Sequence, residues 1–415
     1  MPIRYTREVN PTEYTLRSGT AADLDAVGEL LAEAFHETWD AEGLEVERSV
    51  LEPERMALVL AGDRLVGTSG SYTRELTVPG AIVPSAHVTI VSVEATHRRR
   101  GLLNRMMERL FDDARRLGEP VAHLWASEGR IYQRYGYGLA ASRLALDADR
   151  EVQLRVPPAD TDGQLRSVPL ADAGPDIRKV YEQVRAERPG LSSRDDRWWG
   201  RVLADPTSWR GGATRRYVLL HETASVVDGY VLWRVREGSD DRPGTVLVRE
   251  VMATTPAVYQ SLWQFLLNVD LTRRVEYPWA APDEPLLYLV NEPRKLGARL
   301  QDGLWLRLLD VPAALAARRY AAPVEVVLGV TDPMLPDNTG NWLLTGDAAS
   351  ASCTRTDRPA DLDCELGALG AAYLGGASLG ALAAAGRIRE LVPGTLARAS
   401  AAFGWHRAPS AVEVF

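Results

Sequence analysis

A mixed α/β fold in three consecutive segments is predicted, and three observations predict it. Strand-like and helix-like stretches alternate from Thr15 to about residue 150, as expected where helices lie on a sheet. The same order then repeats: "QLRSVPLADAGPDIRKVYEQV", from Gln164, echoes "TLRSGTAADLDAVGELL", from Thr15. After "DGLWLRLLDVPAALAARRY" the echo stops, and a third run of strand and helix candidates carries the chain to Phe415. The expected domains are 1–150, 163–300 and 301–415.

Each element has a local reason. "TLRS" reads as a short strand, followed by a helix with Val27, Leu30, Leu31 and Phe35 as its apolar stripe and Thr20 or Asp23 as its cap. "ALVLAGDRLVGTSGSYTRELTV" reads as a hairpin turning at Gly62-Asp63, and "AHVTIVSV" as a further strand. "LLNRMMERLFDDARRLG" is an amphipathic helix with Leu102, Met106, Leu110 and Ala114 on one face and Gly118 at its end. "PVAHLWAS" is a strand, and "EGRIYQRYGYGLA" leads through a helical turn to another. In the second copy, "RYVLLHE", "GYVLWRV" and "VLVREVMA" are strands and "PAVYQSLWQFLLNVD" is a helix. The third segment offers a helix from Pro312, strands in "VEVVLGVTD", "NWLLTG" and "CTRTD", more helices, and the strand-like terminal "AVEVF".

Composition narrows the function classes. The 415 residues are 46% hydrophobic and 25% charged, ordinary values for globular protein. A net charge of −8 argues against nucleic acid as a general partner and suits a cationic substrate. Cys353 and Cys364 give no disulfide framework and point to a reducing, cytoplasmic setting. The N-terminal stretch has no apolar signal core. The uncharged run Leu366–Gly386 is long enough to span a bilayer, but its Ala/Gly content and the Gly375-Gly376 pair favour two short helices and no membrane span. No HExxH or CxxC pattern argues for a metal.

The chemistry begins at "VSVEATHRRRGLLNRMMERL", from Val91. A strand running into a basic, glycine-containing turn and then a helix offers backbone N–H groups and a positive dipole end to phosphate. Gly101 permits close backbone approach, and Arg99 and Arg100 add charge. The plainer reading is a solvated basic helix start. There is no GxxxxGK[ST] and no GxGxxG. After "VREVMATTP" in the second copy, Pro256 stands where the first has its arginine-glycine run, so that copy is expected to keep the fold without the ligand site.

The turn resembles the R/Q-x-x-G-x-G/A signature of GCN5-related N-acetyltransferases: Arg98-Arg99-Arg100-Gly101-Leu102-Leu103 matches it except for Leu103 at the final small position. "VEATHRRRGLL", "ASEGRIYQRYGYG", "DGLWLRLLDVPAAL" and the C-terminal phenylalanine, taken in order, resemble the enhanced intracellular survival (Eis) family of these enzymes. The resemblance implies two tandem acetyltransferase (GNAT) domains, the second without a cofactor site, followed by a sterol-carrier-like α/β domain. It also implies a homo-oligomer, a hexamer.

By that resemblance, acetyl-CoA is the cofactor. The backbones of Val91, Ser92 and Val93 would pair with its pantetheine arm, Arg99, Arg100, Gly101, Leu102, Leu103 and Asn104 would hold its pyrophosphate, and Ser127 and Glu128 would contact it. Tyr132 corresponds to the general acid and the Phe415 carboxylate to the general base. A phenol with a reference pKa of about 10 donates to a thiolate of about 8.5 only near the reacting geometry. A terminal carboxylate, with a reference value of about 3.3–3.7, is ionised at neutral pH and can attract a cationic amine and take its proton. The Phe415 end is therefore expected to fold back into the first domain.

Alternatives stand beside these roles. Tyr135 and Tyr137 compete with Tyr132, and all three could be packing residues. A terminal phenylalanine is most often a frayed end. His87, His97 and His123 read as structural, and His36, His221 and His406 as isolated. Glu37 and Asp40 either line an anionic acceptor pocket or belong to a solvated loop. Well-known members of the family carry an acidic residue immediately before the terminal phenylalanine; here Val414 stands there, with Glu413 one earlier and expected on the opposite face. The resulting expectation is an acetyl-CoA-dependent N-acetyltransferase acting on cationic amines: aminoglycoside-like compounds, lysine or polyamines. The competing expectation is a non-catalytic acyl-CoA or lipid-binding protein that works through its C-terminal domain.

Overall fold

Among the described residues, two seven-stranded sheets and one five-stranded sheet carry the chain, and the first two exchange a strand. The computed structural model describes residues 14–36, 40–149, 151–156, 163–239 and 244–415. The first part contributes β1 (Thr15–Ser18), α1 (Leu24–Phe35), α2 (Ala41–Val50), β2 (Met56–Ala61), β3 (Arg64–Val78), β4 (Ala81–Val93), α3 (Leu102–Arg116), β5 (Val121–Trp125), α4 (Gly129–Gln133) and β6 (Gly138–Leu139). The second contributes β7 (Ser142–Asp149), β8 (Gly163–Val168), α5 (Gly174–Glu187), α6 (Asp196–Leu203), β9 (Tyr217–Thr223), β10 (Val226–Arg236), β11 (Thr245–Ala253), α7 (Pro256–Leu266), β12 (Arg274–Ala280), α8 (Leu286–Leu289), β13 (Arg299–Asp302) and β14 (Leu304–Leu308).

The first sheet runs β1-β2-β3-β4-β5-β14-β6 and the second β13-β7-β12-β11-β10-β9-β8. Position by position the orders match, with β8 to β12 in the places of β1 to β5. The echo read in the sequence is therefore a structural repeat. β7 follows β6 in the chain yet pairs with β12 and β13 of the second sheet, and β14 follows β13 yet lies between β5 and β6 of the first. Strands thus cross the boundaries expected at 150 and 301. Each sheet is completed from the other side of the boundary, which fixes the two domains to one another.

Local chemistry behaves as expected in most elements. Ala61 pairs with Arg64 across the Gly62-Asp63 turn, where Gly62 has φ 61. The face of α3 carrying Leu102, Met106, Leu110 and Ala114 is buried, and Gly118 beyond its end has φ 73. Val27, Leu30 and Leu31 of α1 are buried, but Phe35 is 43% exposed; it sits at the mouth of the site described below.

The third domain holds α9 (Val311–Ala317), β15 (Val324–Thr331), β16 (Gly340–Gly346), β17 (Ala351–Arg355), β18 (Leu362–Glu365), α10 (Leu366–Ala372), α11 (Leu379–Ala384), β19 (Ile388–Glu390) and α12 (Thr395–Phe403). Its sheet runs β17-β16-β15-β18-β19. Two short helices, α10 and α11, flank the Gly375-Gly376 pair, and among the described residues no helix is long and apolar enough to cross a membrane. α10 lies close on β6: a Cβ at Gly138 would come within 1.8 Å of the Gly367 carbonyl oxygen. That contact explains the second glycine of "YGYG". The terminal "AVEVF" is not a strand, contrary to expectation. Val412 and Glu413 are both buried, and their partners are arginine side chains rather than a sheet edge.

Candidate active site

The site begins where β4 leaves β5. The two strands pair only from Ser85–Val121 to His87–His123, and β4 then continues to Val93 with β3 alone beside it. The β3–β4 register shifts between Thr68 and Gly70, and Ile90 opposite has φ 48, so β4 is bulged there. A cleft of about 720 Å³ opens beside Val91, Ser92 and Val93. The sequence reading missed this bulge. Its one signal is Gly70, where a Cβ would meet the Ile90 side chain at 3.0 Å.

The arginine turn closes the far end of the cleft. Arg99 and Gly101 have φ 63 and φ 76, and α3 starts at Leu102 with no capping side chain and no acidic residue in its first turn. Its leading N–H groups therefore lack intrahelical partners beside a basic, partly exposed cleft, which suits an anion. Arg99, Gly101, Leu102, Leu103, Asn104, Ser127 and Glu128 all line it. Arg100 does not, because its guanidinium donates to the Tyr14 hydroxyl at 2.9 Å. The Arg98 Nε donates to the Val93 carbonyl at 3.1 Å, tying the turn to the end of β4. Leu103, the departure from the small-residue signature, packs partly buried against the core.

The three tyrosines separate by their surroundings. Tyr135 donates its hydroxyl to the Asn104 side chain at 2.6 Å and so braces the turn. Tyr137 is fully buried, with its ring against Phe111 and Tyr132, and burial pushes its phenol far up. Tyr132 lines both the first cleft and a second one of about 720 Å³. Burial, reinforced by Tyr135, pushes its phenol up to about 12, so it stays protonated through the neutral range.

Phe415 and Val414 line the second cleft together with Tyr72, Trp125 and Thr89. Phe35, Val91, Ser127 and Tyr132 line both clefts, so the two meet there. The Phe415 ring packs on His87 and His123, with ring centroids 4.9 and 5.2 Å away. Both histidines are buried, and desolvation holds them neutral, His87 well below its ordinary value and His123 at about 3. His87 is bonded to Ser192 at 2.7 Å and His123 to Ser85 at 2.8 Å. These are packing residues.

What brings Phe415 here is the tail before it. The Ala408 N–H donates to Asp283 at 2.9 Å, the Ser410 N–H donates to the Pro189 carbonyl at 2.9 Å, and Arg249 donates to the Val412 carbonyl. Glu413 is buried; Arg74 of β3 donates to one of its oxygens, and Arg194 to the other at 3.1 Å. Arg194 also grips Glu250 of β11 with bonds of 3.0 and 2.7 Å. Burial acts to raise the Glu413 carboxyl, but Arg194 and Arg74 outweigh it and hold it at about 2. The sequence placed Glu413 opposite Val414 without giving it this task.

Asp40 lies on the second cleft and caps α2, accepting from the Gly43 N–H at 2.8 Å. That bond, with Ser208, holds its carboxyl below the ordinary value. Glu37 lies outside the described residues. The second domain reaches into this cleft with Arg201, Ser208 and Trp209, which sequence reading did not foresee. In the second domain itself, the start of α7 is closed: Pro256 has no N–H to offer, and the Thr255 hydroxyl caps Val258 N–H at 3.3 Å. Among the described residues, no group of three or more His, Cys, Asp or Glu is arranged to hold a metal ion.

Comparison with known proteins agrees with this architecture. Models of the acetyltransferase (GNAT) domain match residues 15–140 and 190–308, and a sterol carrier protein domain model matches 311–412. An uncharacterized N-acetyltransferase of Streptomyces avermitilis is 44% identical over 374 residues, 89% of this chain and 91% of its own. The N-acetyltransferase Eis of Mycobacterium tuberculosis is 34% identical over 404 residues, 94% of this chain and 96% of its own. The crystal structure of Eis1 from Mycobacterium abscessus superposes with a TM-score of 0.84 at 31% identity, covering 97% of this chain and 100% of that one. Identity of this degree, held across nearly the whole of both chains and across all three domains, makes the chain a member of the Eis family of GCN5-related N-acetyltransferases, and therefore an acyltransferase.

Proposed function

We propose that the protein transfers the acetyl group of acetyl-CoA directly to the primary amine of a cationic acceptor, with Tyr132 as general acid and the Phe415 carboxylate as general base. The observation that carries this reading is the meeting of the two clefts at Tyr132, with Phe415 in the wall of the second. The first cleft suits acetyl-CoA: an unpaired strand edge at Val91–Val93 matches an amide-bearing arm, and uncapped N–H groups with Arg99 match a diphosphate. When bound, acetyl-CoA supplies the thioester carbonyl.

The chain's own residues then orient and move protons. The Phe415 carboxylate takes a proton from the ammonium, directly or through water, and frees the nitrogen lone pair. As the N–C bond forms and the C–S bond breaks, the Tyr132 Oη donates to the departing sulfur. A phenol at about 12 is a weaker acid than a thiol, so Tyr132 holds its proton until negative charge builds on sulfur. The adduct nitrogen loses its second proton to solvent, which leaves the neutral amide. Solvent returns one proton to the phenolate and removes one from the carboxyl, so one proton is released per turnover.

The test is thiol release from acetyl-CoA in the presence of a panel of amines. Amine-dependent release with stoichiometric N-acetyl product supports the reading, and release that no amine accelerates contradicts it. The competing reading, a lipid carrier, is disfavoured by the third domain's interior. There Arg318 is fully buried, donates to the carbonyls of Tyr373 and Phe403 at 2.6 and 2.8 Å, and lies against Tyr320. By the likeness to Eis proteins we also propose a homo-oligomer, a hexamer, which light scattering at micromolar concentration would test.

A further inference from the structure

The second cleft has a composition of its own. Its wall is largely aliphatic and aromatic: Leu31 and Phe35 from α1, Leu44 from α2, Trp125 from β5, Trp209 from the second domain and Val414 from the tail. Among the described residues, its charged side chains are Asp40, Glu47, Arg48 and Arg201. Glu47 is already neutralised, because Arg201 donates to its two oxygens at 2.9 and 3.0 Å. Arg48 adds a second guanidinium to the wall and pairs outward with the exposed Asp25. Asp40 also lies on the cavity, with its carboxylate already accepting the Gly43 N–H at 2.8 Å, and Phe415 lines it too.

An acceptor with several ammonium groups would therefore meet two ion-paired guanidinium groups and a largely apolar wall, with Asp40, already engaged at the start of α2, as the further anion its extra charges could reach, so it would lose more hydration than this partner repays. A single ammonium fares differently. It can be met by the Phe415 carboxylate, while an apolar body covers the aliphatic and aromatic surface. Trp209 is well placed for that body. It is 37% exposed, its turn is pinned by Arg234, which donates to the Trp209 carbonyl at 3.2 Å, and its indole nitrogen is 2.9 Å from where a Cβ on Gly43 would lie. The indole thus stands over the start of α2, beside Asp40.

We propose that the preferred acceptor is a monoamine with an aryl or alkyl body, and that the cofactor-less second domain supplies, through Trp209, the surface that selects it. This inference rests on the amine-transfer reading above and narrows it: among cationic acceptors it favours amphipathic monoamines over aminoglycosides and polyamines.

The test compares kcat/KM for tryptamine, spermidine and kanamycin in the full-length enzyme. Tryptamine is expected to lead by at least about tenfold, the usual scale for an apolar contact in a pocket. Trp209→Ala is expected to lower kcat/KM for tryptamine about tenfold, mainly through KM, and at least about fivefold more than it does for spermidine. Leu44→Glu, which adds an anion to the wall, should move the preference toward spermidine. If spermidine or kanamycin leads in the wild type, or if Trp209→Ala depresses all three amines equally, this inference falls while amine transfer stands. If none of the amines accelerates thiol release, amine transfer itself fails, and the inference goes with it.

Discussion

Arg194 of the second domain and Glu413 of the C-terminal tail meet at 3.1 Å in the interior, their side chains 0% and 5% exposed. Arg74 of the first domain takes the other carboxylate oxygen. A residue of the third domain's tail is thus clamped between the first two domains, two positions before Phe415, which lines the second cleft. A buried ion pair contributes little net stability when whole but is costly to break from one side.

Glu413→Gln should therefore destabilise the protein by about 3–5 kcal/mol, since Arg74 is left buried without its counter-charge. Turnover should fall with it because the tail loses its register, while acetyl-CoA affinity stays nearly constant. Denaturant unfolding and calorimetry check both. Wild-type stability in the variant would show that the clamp does not hold the tail.

The same carboxyl predicts an acid limb of stability. Its folded value, about 2, lies below its ordinary 4.5. The folded state therefore binds fewer protons than the unfolded state between these values. The contribution is fully present above pH 4.5 and is lost as pH falls toward 2. Thermal unfolding measured at pH 5, 4 and 3 should show a steeper fall for wild type than for Glu413→Gln; parallel curves would contradict it.

Tyr132→Phe keeps the ring and removes the proton. Turnover should fall about 10²–10⁴-fold, the usual contribution of general acid–base catalysis, with acetyl-CoA affinity unchanged. Tyr135→Phe should do the opposite, weakening acetyl-CoA binding by releasing Asn104 while changing turnover less. Because the Tyr132 phenol is raised to about 12, its ionisation should not limit turnover below about pH 11. A rate that declines through pH 9–10 in wild type but not in Tyr132→Phe would be at odds with that assignment.

One acetyl-CoA should bind per chain. The first domain presents an uncapped helix start with Arg99 beside it, whereas α7 begins with Pro256 and is capped by Thr255. Titration calorimetry should give a stoichiometry of one, and Arg99→Glu should abolish most of the affinity. Two equivalent sites would overturn the distinction between the domains.

Much of this was legible in the chain because local rules wrote it. The repeat, the Gly62-Asp63 turn, the buried face of α3 and the Gly375-Gly376 break follow from spacing and residue type alone. The arginine turn and "IYQRYGYG" identified the family because their residues are adjacent in sequence. The rest depends on contacts between distant residues. Nothing near β7 or β14 announces that each completes the other domain's sheet. The Ile90 bulge leaves only Gly70 as a trace. Phe35 fits an apolar stripe equally well whether it faces a core or a cavity. Glu413 reads as one acidic residue in an alternating tail, and its meaning comes from Arg74 and Arg194, which are 339 and 219 positions away.

The central claim is that the terminal carboxylate takes the amine proton. Converting the Phe415 carboxylate to a carboxamide by semisynthesis removes one charge and little else; the ring contacts with His87 and His123 and the Glu413 clamp are left in place. Single-turnover acetyl transfer to the best amine of the panel should slow about 10²–10⁴-fold, with unchanged acetyl-CoA affinity and unfolding temperature. A carboxamide enzyme that transfers acetyl at the wild-type rate would contradict the account and send the search for the base to Asp40 or another group lining the second cleft.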